Sequence, residues 1–228
     1  MNNTEVMGEN NSCEEIIMQG QCSRLYTLSK RFCDIFFGFV GCIFLIPLYI
    51  GVKIAYLFSK DYSPIIFKQE RIGQNGKPIY IYKFRSMVTN ADEVLYKMLK
   101  ENEDVRREYK RYKKLKNDPR ITKVGQFIRN TSIDEFPQFL NVLKGDMSLV
   151  GPRPYLFREK EDMGEYFDII VKCKPGITGY WQVNGRSGTD FVKRLVLDEY
   201  YYGHRNLVLD LKILIKTFVK VFKKDGAK

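Results

Sequence analysis

An uncharged run of eighteen residues, Ile35 to Val52, limits this chain's folding more than any other feature; Asp34 and Lys53 bound it. As a straight helix it would reach roughly 27 Å at 1.5 Å per residue, just short of the hydrocarbon core of a bilayer. Both helical faces are apolar over the whole length, which suits lipid better than the core of a soluble domain. A polar stretch of about thirty residues precedes the run, and no small-residue cleavage site follows, so a secretory signal is disfavoured. Pro47 lies inside it. A proline there removes one backbone hydrogen bond and crowds the preceding turn, which predicts a kink. Two short arms meeting at a kink can enter and leave one leaflet; by periodicity alone, an ordinary spanning helix with a tolerated proline reads as well. Arg24, Lys30 and Arg31 lie before the run, and Lys53, Lys60, Lys68 and Arg71 after it. Under the positive-inside tendency both ends prefer the cytoplasm, and that favours re-entry over crossing.

The net charge of +11 over 228 residues calls for an anionic partner or surface. Nucleic acid, phospholipid head groups and phosphorylated substrates all meet that demand, and charge alone does not choose among them. The five cysteines (Cys13, Cys22, Cys33, Cys42, Cys173) are scattered and never spaced C-x-x-C, and there is a single histidine. Neither a disulfide framework nor a zinc set is indicated, and a reducing cytoplasm is the natural setting.

Beyond the apolar run, Ile65 to Lys83 reads as two short strands around the turn Gly73-Gln74-Asn75-Gly76, with Ile79 and Ile81 alternating against Tyr80 and Tyr82. Ala91 to Lys116 reads as one charged helical stretch. Its apolar stripe is Val94, Leu95, Met98, Leu99, Val105, Tyr109 and Tyr112. Asp118-Pro119 breaks it, and a further helix is expected to start near Asp134. Glycine- and proline-rich loops are expected over Lys144 to Pro154 and Lys174 to Gly188. Leu207 to Lys224 carries apolar residues at helical spacing with lysines between, as an interfacial amphipathic helix does. His204 has no partner set in the sequence and reads as structural.

The pair Asp134-Glu135 sits in Thr131-Ser132-Ile133-Asp134-Glu135-Phe136-Pro137. Proline is tolerated in the first turn of a helix, which places the helix start at Ser132 to Asp134 and both carboxylates at its positive end. An ionised aspartate there can act as a nucleophile, and an adjacent glutamate can hold a hard divalent cation. Ser132-x-x-Glu135 equally reads as a capping box with a favourable first-turn acid. Around the pair, Lys83-Phe84-Arg85, Arg129, Gly151-Pro152-Arg153-Pro154 and Gly185-Arg186 place cations in turns bounded by glycine or proline, contexts that suit phosphate clamps. Trp181-Gln182-Val183-Asn184 reads as core or as the wall of a base or sugar pocket.

The run Asp118-Pro119-Arg120-Ile121-Thr122 through Arg129, then Ser132 to Gln138 and Asn141 to Pro154, closely resembles the bacterial sugar transferases, the monotopic phosphoglycosyl transferases that start glycan assembly. Phe67 to Gly73, Lys83-Phe84-Arg85-Ser86-Met87, Lys174 to Gly179 and Gln182 to Arg186 extend the resemblance, which covers the chain from about Lys30 onward.

The resemblance implies an α+β, mainly helical monotopic membrane protein with a kinked re-entrant N-terminal helix, a small β-hairpin and amphipathic interfacial helices. Its parts would be a polar tail over residues 1–29, a re-entrant membrane helix over 30–59 bent at Pro47, and a cytoplasmic transferase domain over 60–228. It implies transfer of a sugar-1-phosphate from a UDP-sugar to undecaprenyl (polyprenyl) phosphate at the bacterial inner membrane, with the catalytic domain on the cytoplasmic face. By similarity Asp134 is the nucleophile and Glu135 the Mg²⁺ ligand, with Asp134 beside it at the metal. Lys83 supports the dyad, Arg129 and Arg153 hold phosphate, and Arg186 helps bind the nucleotide sugar, with Arg85 and Gln182 as further substrate contacts. Membrane lipid is an expected partner and nucleic acid is not; a homodimer stays open. Two departures stand out: the charged insert around Asp92 to Lys116 is longer than in the smallest members, and Trp181 replaces a small residue. The second puts sugar specificity in doubt.

Overall fold

A computed structural model describes residues 23–185 and 189–223. The architecture is mainly helical with small sheets and one long apolar N-terminal helix, α1, Arg24–Phe58. Ser23 caps it by accepting from the Tyr26 amide. Pro47 lies in the interior of this single helix, which is long and apolar enough to cross a membrane. Its buried positions, Tyr26, Asp34, Gly38, Gly41, Val52 and Tyr56, together with half-buried Lys30, Leu45 and Leu48 between them, are spaced three or four residues apart. One stripe of α1 therefore rests on the body of the protein, the i, i+3, i+4 geometry of a helix face. Leu25, Leu28, Phe32, Phe36, Phe39, Ile43, Phe44 and Ile46 point away, exposed. The opposite side is thus apolar and uncovered, an apolar surface far larger than a soluble monomer leaves open.

Strands β1 (Ile66–Ile72) and β2 (Pro78–Phe84) form the expected antiparallel hairpin, in register from Ile66 opposite Phe84 to Ile72 opposite Pro78. Asn75 and Gly76 take positive φ at its tip, and Ile81 and Phe84 turn inward. The charged stretch is two helices rather than one: α2 (Ala91–Glu101) and α3 (Glu103–Tyr112). Asn102 makes the break, its side chain accepting from the Asp104 and Val105 amides; this local capping outcompetes helix continuation. Only Leu95 of the apolar stripe is fully buried.

Next come α4 (Lys123–Asn130), a 3₁₀ turn Ile133–Gln138 and α5 (Phe139–Lys144). The segments expected as loops contain two three-residue strands, β3 (Ser148–Val150) and β4 (Gly176–Thr178), paired in parallel. Such short strands leave no alternation to read. The chain continues with α6 (Lys160–Met163), α7 (Tyr166–Ile170), α8 (Tyr180–Asn184), α9 (Phe191–His204) and α10 (Leu207–Lys223). Along α10, Asp210 and Ile213 face inward while Val208, Leu211, Ile215 and Phe218 stay exposed.

The main core gathers Ile81, Val142, Met147, Val150, Ile169, Val183, Tyr201 and Ile213 from the hairpin, α5, the parallel strands and the last helices. α1 is fastened to it repeatedly. Lys30 Nζ and the Tyr26 hydroxyl bond Asp210 at 2.6 and 3.0 Å. Arg31 caps the C-terminus of α5 by donating to the carbonyls of Val142 and Leu143 at 2.7 and 2.8 Å. Asp34 accepts from Ser148 Oγ and the Leu149 amide. Near the other end the Tyr56 hydroxyl donates to the Arg85 carbonyl.

Candidate active site

Asp134 and Glu135 occupy the first turn of the 3₁₀ segment. The sequence predicts a helix here, and the capping box does not form. Ser132 adopts left-handed φ 56°, ψ 17° and its side chain makes no capping hydrogen bond. A serine in that region is strained, and neighbouring contacts hold it there. Ile133 and Phe136, flanking the pair, pack against the α1 cluster of Leu45, Leu48, Val52 and Tyr56. Behind them Asn141, fully buried, clips α5 to the hairpin: its amide donates to the Tyr80 carbonyl at 2.7 Å and its oxygen accepts from the Tyr82 amide at 3.1 Å. The turn is fixed between α1 and the hairpin.

That placement brings Lys83 of β2 to Glu135, Nζ to Oε1 at 2.9 Å. Burial works against an ionised Glu135, but Lys83 and then Arg153 and Arg71 outweigh it and hold the carboxyl below its ordinary value. Asp134 goes the other way. Burial and the neighbouring Glu135 charge push it up to about 6, against the pull of Lys83 and Arg129. Two adjacent carboxylates are thereby driven apart in acidity, the arrangement expected of groups with different tasks.

Arg129, at the end of α4, is held by Nε donating to Ser86 Oγ at 2.9 Å and lies within electrostatic reach of Asp134. Gly125 allows that approach, because a Cβ there would meet the Ser86 carbonyl at 1.9 Å. Arg153 follows β3 in the Gly151–Pro154 loop. It is half-buried, and among the described residues its guanidinium has neither ion pair nor side-chain hydrogen bond. Arg71 is a site residue that sequence reading passed over. It is buried at the end of β1 and donates to the Pro154 carbonyl at 3.0 Å and to Gln69. Burial, then the nearby charge of Arg153, lower it to about 9. Arg194 and Lys114 are lowered likewise, first by burial and next by neighbouring cations. Guanidinium groups stay charged at neutral pH, so such crowding creates a strong local demand for an anion. The sequence signal for Arg71 was its place beside Gln69 at the end of a strand, close to the hairpin turn.

Arg85 is placed differently from Arg129 and Arg153. It is buried, pairs with Asp61 at 2.9 Å, donates to the Pro64 carbonyl and lies over the Tyr56 ring, which ties the exit of α1 to the hairpin. Gln182 is half-buried on α8; its amide donates to the Ile177 carbonyl at 3.1 Å, and among the described residues its oxygen has no partner. Arg186 lies outside the described residues. His204 stacks on Tyr200 and bonds its carbonyl, a structural role as expected.

For Mg²⁺, the described residues contain no cluster of three or more His, Cys, Asp or Glu. The donors that remain are the second oxygen of Glu135 and the carboxylate of Asp134. They fit an ion that keeps its waters and is held by one or two carboxylates together with substrate phosphates.

A family model described as bacterial sugar transferase matches residues 25–224. Over 198 residues the chain is 46% identical to an undecaprenyl-phosphate galactose phosphotransferase of Salmonella typhimurium, covering 87% of this chain and 41% of that protein. It is 41% identical over 215 residues to a UDP-galactose-lipid carrier transferase of Erwinia amylovora, covering 93% and 45%. It is 37% identical over 200 residues to the exopolysaccharide production protein ExoY of Sinorhizobium fredii, covering 88% of each. The chain thus spans less than half of the two longer relatives and nearly all of the shorter one. With the match running from α1 through Asp134-Glu135 to α10, the chain belongs to the bacterial sugar transferase family.

Proposed function

We propose that this protein is a membrane-associated phosphoglycosyl transferase that moves a sugar-1-phosphate from a UDP-sugar to undecaprenyl (polyprenyl) phosphate. The observation that carries the reading is the divided dyad: Asp134 raised to about 6 beside a Glu135 held low by Lys83, with Arg153 (unpaired among the described residues), buried Arg71 and half-buried Arg129 around it. Such a setting serves a carboxylate nucleophile facing a diphosphate. Cations cancel the repulsion that would otherwise keep two anions apart.

In the proposed first step an Asp134 oxygen attacks the sugar-bearing phosphorus. The bond from that phosphorus to the bridging oxygen breaks, and uridine monophosphate leaves with the bond's electron pair. The product is an acyl phosphate joining Asp134 to the sugar. A phosphate oxygen of the polyprenyl acceptor then attacks the same phosphorus, releasing the Asp134 carboxylate and giving polyprenyl-diphosphate-sugar. Lys83 fixes Glu135 and stabilises the ionised dyad, Arg129 faces the Asp134 charge, and Arg153 and Arg71 hold donor phosphates. Mg²⁺ bound by Glu135 and Asp134 together with those phosphates would supply neutralisation of the departing charge.

The proposed attachment is from one side, with tail and catalytic domain on the cytoplasmic face. It is supported by ties at both ends of α1 to the same body, Lys30 to Asp210 and Tyr56 to Arg85, and by basic residues on both flanks. The exposed apolar faces of α1 and α10 then meet lipid, and Pro47 frees the Ile43 carbonyl where a re-entrant bend would form.

The test is a transfer assay with purified full chain, polyprenyl phosphate and a panel of UDP-sugars. Uridine monophosphate should be released before acceptor is added, and chelation should stop turnover reversibly. No transfer from any member of the panel, or activity that withstands exhaustive chelation, counts against the reading or its metal respectively.

A further inference from the structure

A buried carboxylate outside the dyad grips the arm that carries Arg153. Asp198, on α9, has no exposed surface. Its Oδ2 accepts from the Tyr155 hydroxyl at 2.8 Å and from the backbone amide of Arg153 itself at 3.3 Å. Its Oδ1 is buried and, among the described residues, has no hydrogen-bond partner. An enclosed carboxylate with one oxygen doubly engaged and the other unsatisfied costs stability that an apolar residue would not. Tyr155 is itself fully enclosed, its ring edge-on to Phe191 of the same helix at 5.8 Å. The arm between β3 and Tyr155 is therefore fastened at two points. Asp34 holds its start through Ser148 and Leu149, and Asp198 holds it at Arg153 and Tyr155. Between those points Gly151 lies so close to Lys174 and Gly176 that a Cβ would strike their backbone at 2.3 to 2.8 Å. One turn before Asp198, Arg194 donates twice to the Thr189 carbonyl, which keeps it from pairing with Asp198.

We infer that Asp198 is the positioning residue for Arg153: by accepting from the Arg153 amide and the Tyr155 hydroxyl, it sets where the unpaired guanidinium stands relative to Asp134 and Glu135. This inference rests on the reading of Arg153 as a donor-phosphate contact. Asp198 acts through Arg153 and touches no substrate. What the arm needs is an acceptor at Oδ2 rather than a charge. Burial drives the carboxyl up to about 7, against the pull of Tyr155 and Arg153, so a neutral amide is a close mimic of it. A displacement of about 1 Å in a phosphate-holding group is enough to cost a hundredfold in rate.

The experiment is a double-mutant cycle on the full chain in detergent or nanodiscs. Asp198→Ala should lower kcat/KM by about 10- to 100-fold, chiefly through KM for the UDP-sugar. Asp198→Asn, which keeps the acceptor, should recover most of it. In an Arg153→Ala background Asp198→Ala should add almost nothing, because the group it positions is gone. Equal losses in both backgrounds, or an Asn variant as impaired as Ala, would overturn the inference. If Asp198→Ala does not accumulate folded, Tyr155→Phe takes its place in the same cycle, with the same non-additivity expected. Equilibrium binding of UDP to the Asp134→Asn protein separates this from failure of the proposed reaction. Asp198→Ala should weaken UDP binding only while Arg153 is present, whether or not any UDP-sugar is turned over; unchanged binding there sinks the inference by itself.

Discussion

Lys83 and Glu135 lie 52 residues apart in sequence and meet at 2.9 Å between the second strand of the hairpin and the 3₁₀ turn. That ion pair separates the two acids of the dyad. It stabilises charge on Glu135 and leaves burial and like-charge repulsion to act on Asp134.

Asp134→Asn should abolish turnover, by at least about 10³-fold as for loss of other covalent nucleophiles, and should also make the ligand-free protein more stable. The sign follows from the raised acidity constant. A carboxyl moved from 3.8 up to about 6 on folding favours the protonated native state, so its ionisation costs stability as pH rises from 3.8 to about 6, and the full cost persists above that. The neutral amide escapes it. Thermal unfolding should show the variant melting higher than wild type at pH 7.5 and the gap closing near pH 4; a lower melting point at pH 7.5 would contradict the assigned environment.

The pH profile of kcat/KM should carry an acidic limb near 6, because in the proposed reaction only ionised Asp134 attacks. Below it the rate should fall about tenfold per unit. Lys83 pulls Asp134 down, so Lys83→Met should move the limb to higher pH as well as lower the plateau. A limb that stays in place in Lys83→Met would show that the two charges do not communicate.

Gly41 is where α1 meets the helix behind the dyad, and a Cβ there would lie 2.4 Å from the Phe139 ring. Gly41→Leu should cost about 1–3 kcal/mol of stability by overpacking and reduce activity by shifting α5. By contrast Gly51→Leu, where no atom lies within 4 Å of the added carbon, should be tolerated. Chemical unfolding in a fixed detergent compares the pair, and equal effects would refute the packing assignment.

The sidedness of the anchor has its own reporters. Cys13 and Cys22 lie in the tail, outside the described residues. In intact spheroplasts a membrane-impermeant maleimide should leave both unlabelled until the bilayer is opened, with denatured controls showing that each thiol reacts. Labelling from outside in the unmutated protein would rule out one-sided attachment. Pro47→Leu restores the missing donor and, under the proposed re-entrant attachment, should disfavour the bend and shift some molecules toward a spanning state.

The sequence by itself determined what depends on short-range pattern. The charge-free run from Ile35 to Val52, the turn at Gly73 to Gly76 and the adjacency of Asp134 and Glu135 are all local, and periodicity or chain order reveals them. The family motifs added the expected company of Lys83, Arg129 and Arg153. What the sequence left open was decided by contacts between distant segments. Whether Ser132 and Glu135 would cap a helix or Glu135 would turn to Lys83 depended on β2 being pinned to α5 by Asn141. In sequence Arg71 stands out only as a basic residue beyond the apolar run and Arg85 as an expected substrate contact, yet Arg71 is buried beside Arg153 and Arg85 pairs with Asp61 beneath the exit of α1. Likewise the full burial of Asp198 follows from packing α9 against the arm of Arg153. Electrostatic environment is set by burial and by charges brought together through space, and a one-dimensional pattern carries neither; only the tertiary structure could make two neighbouring acids unequal.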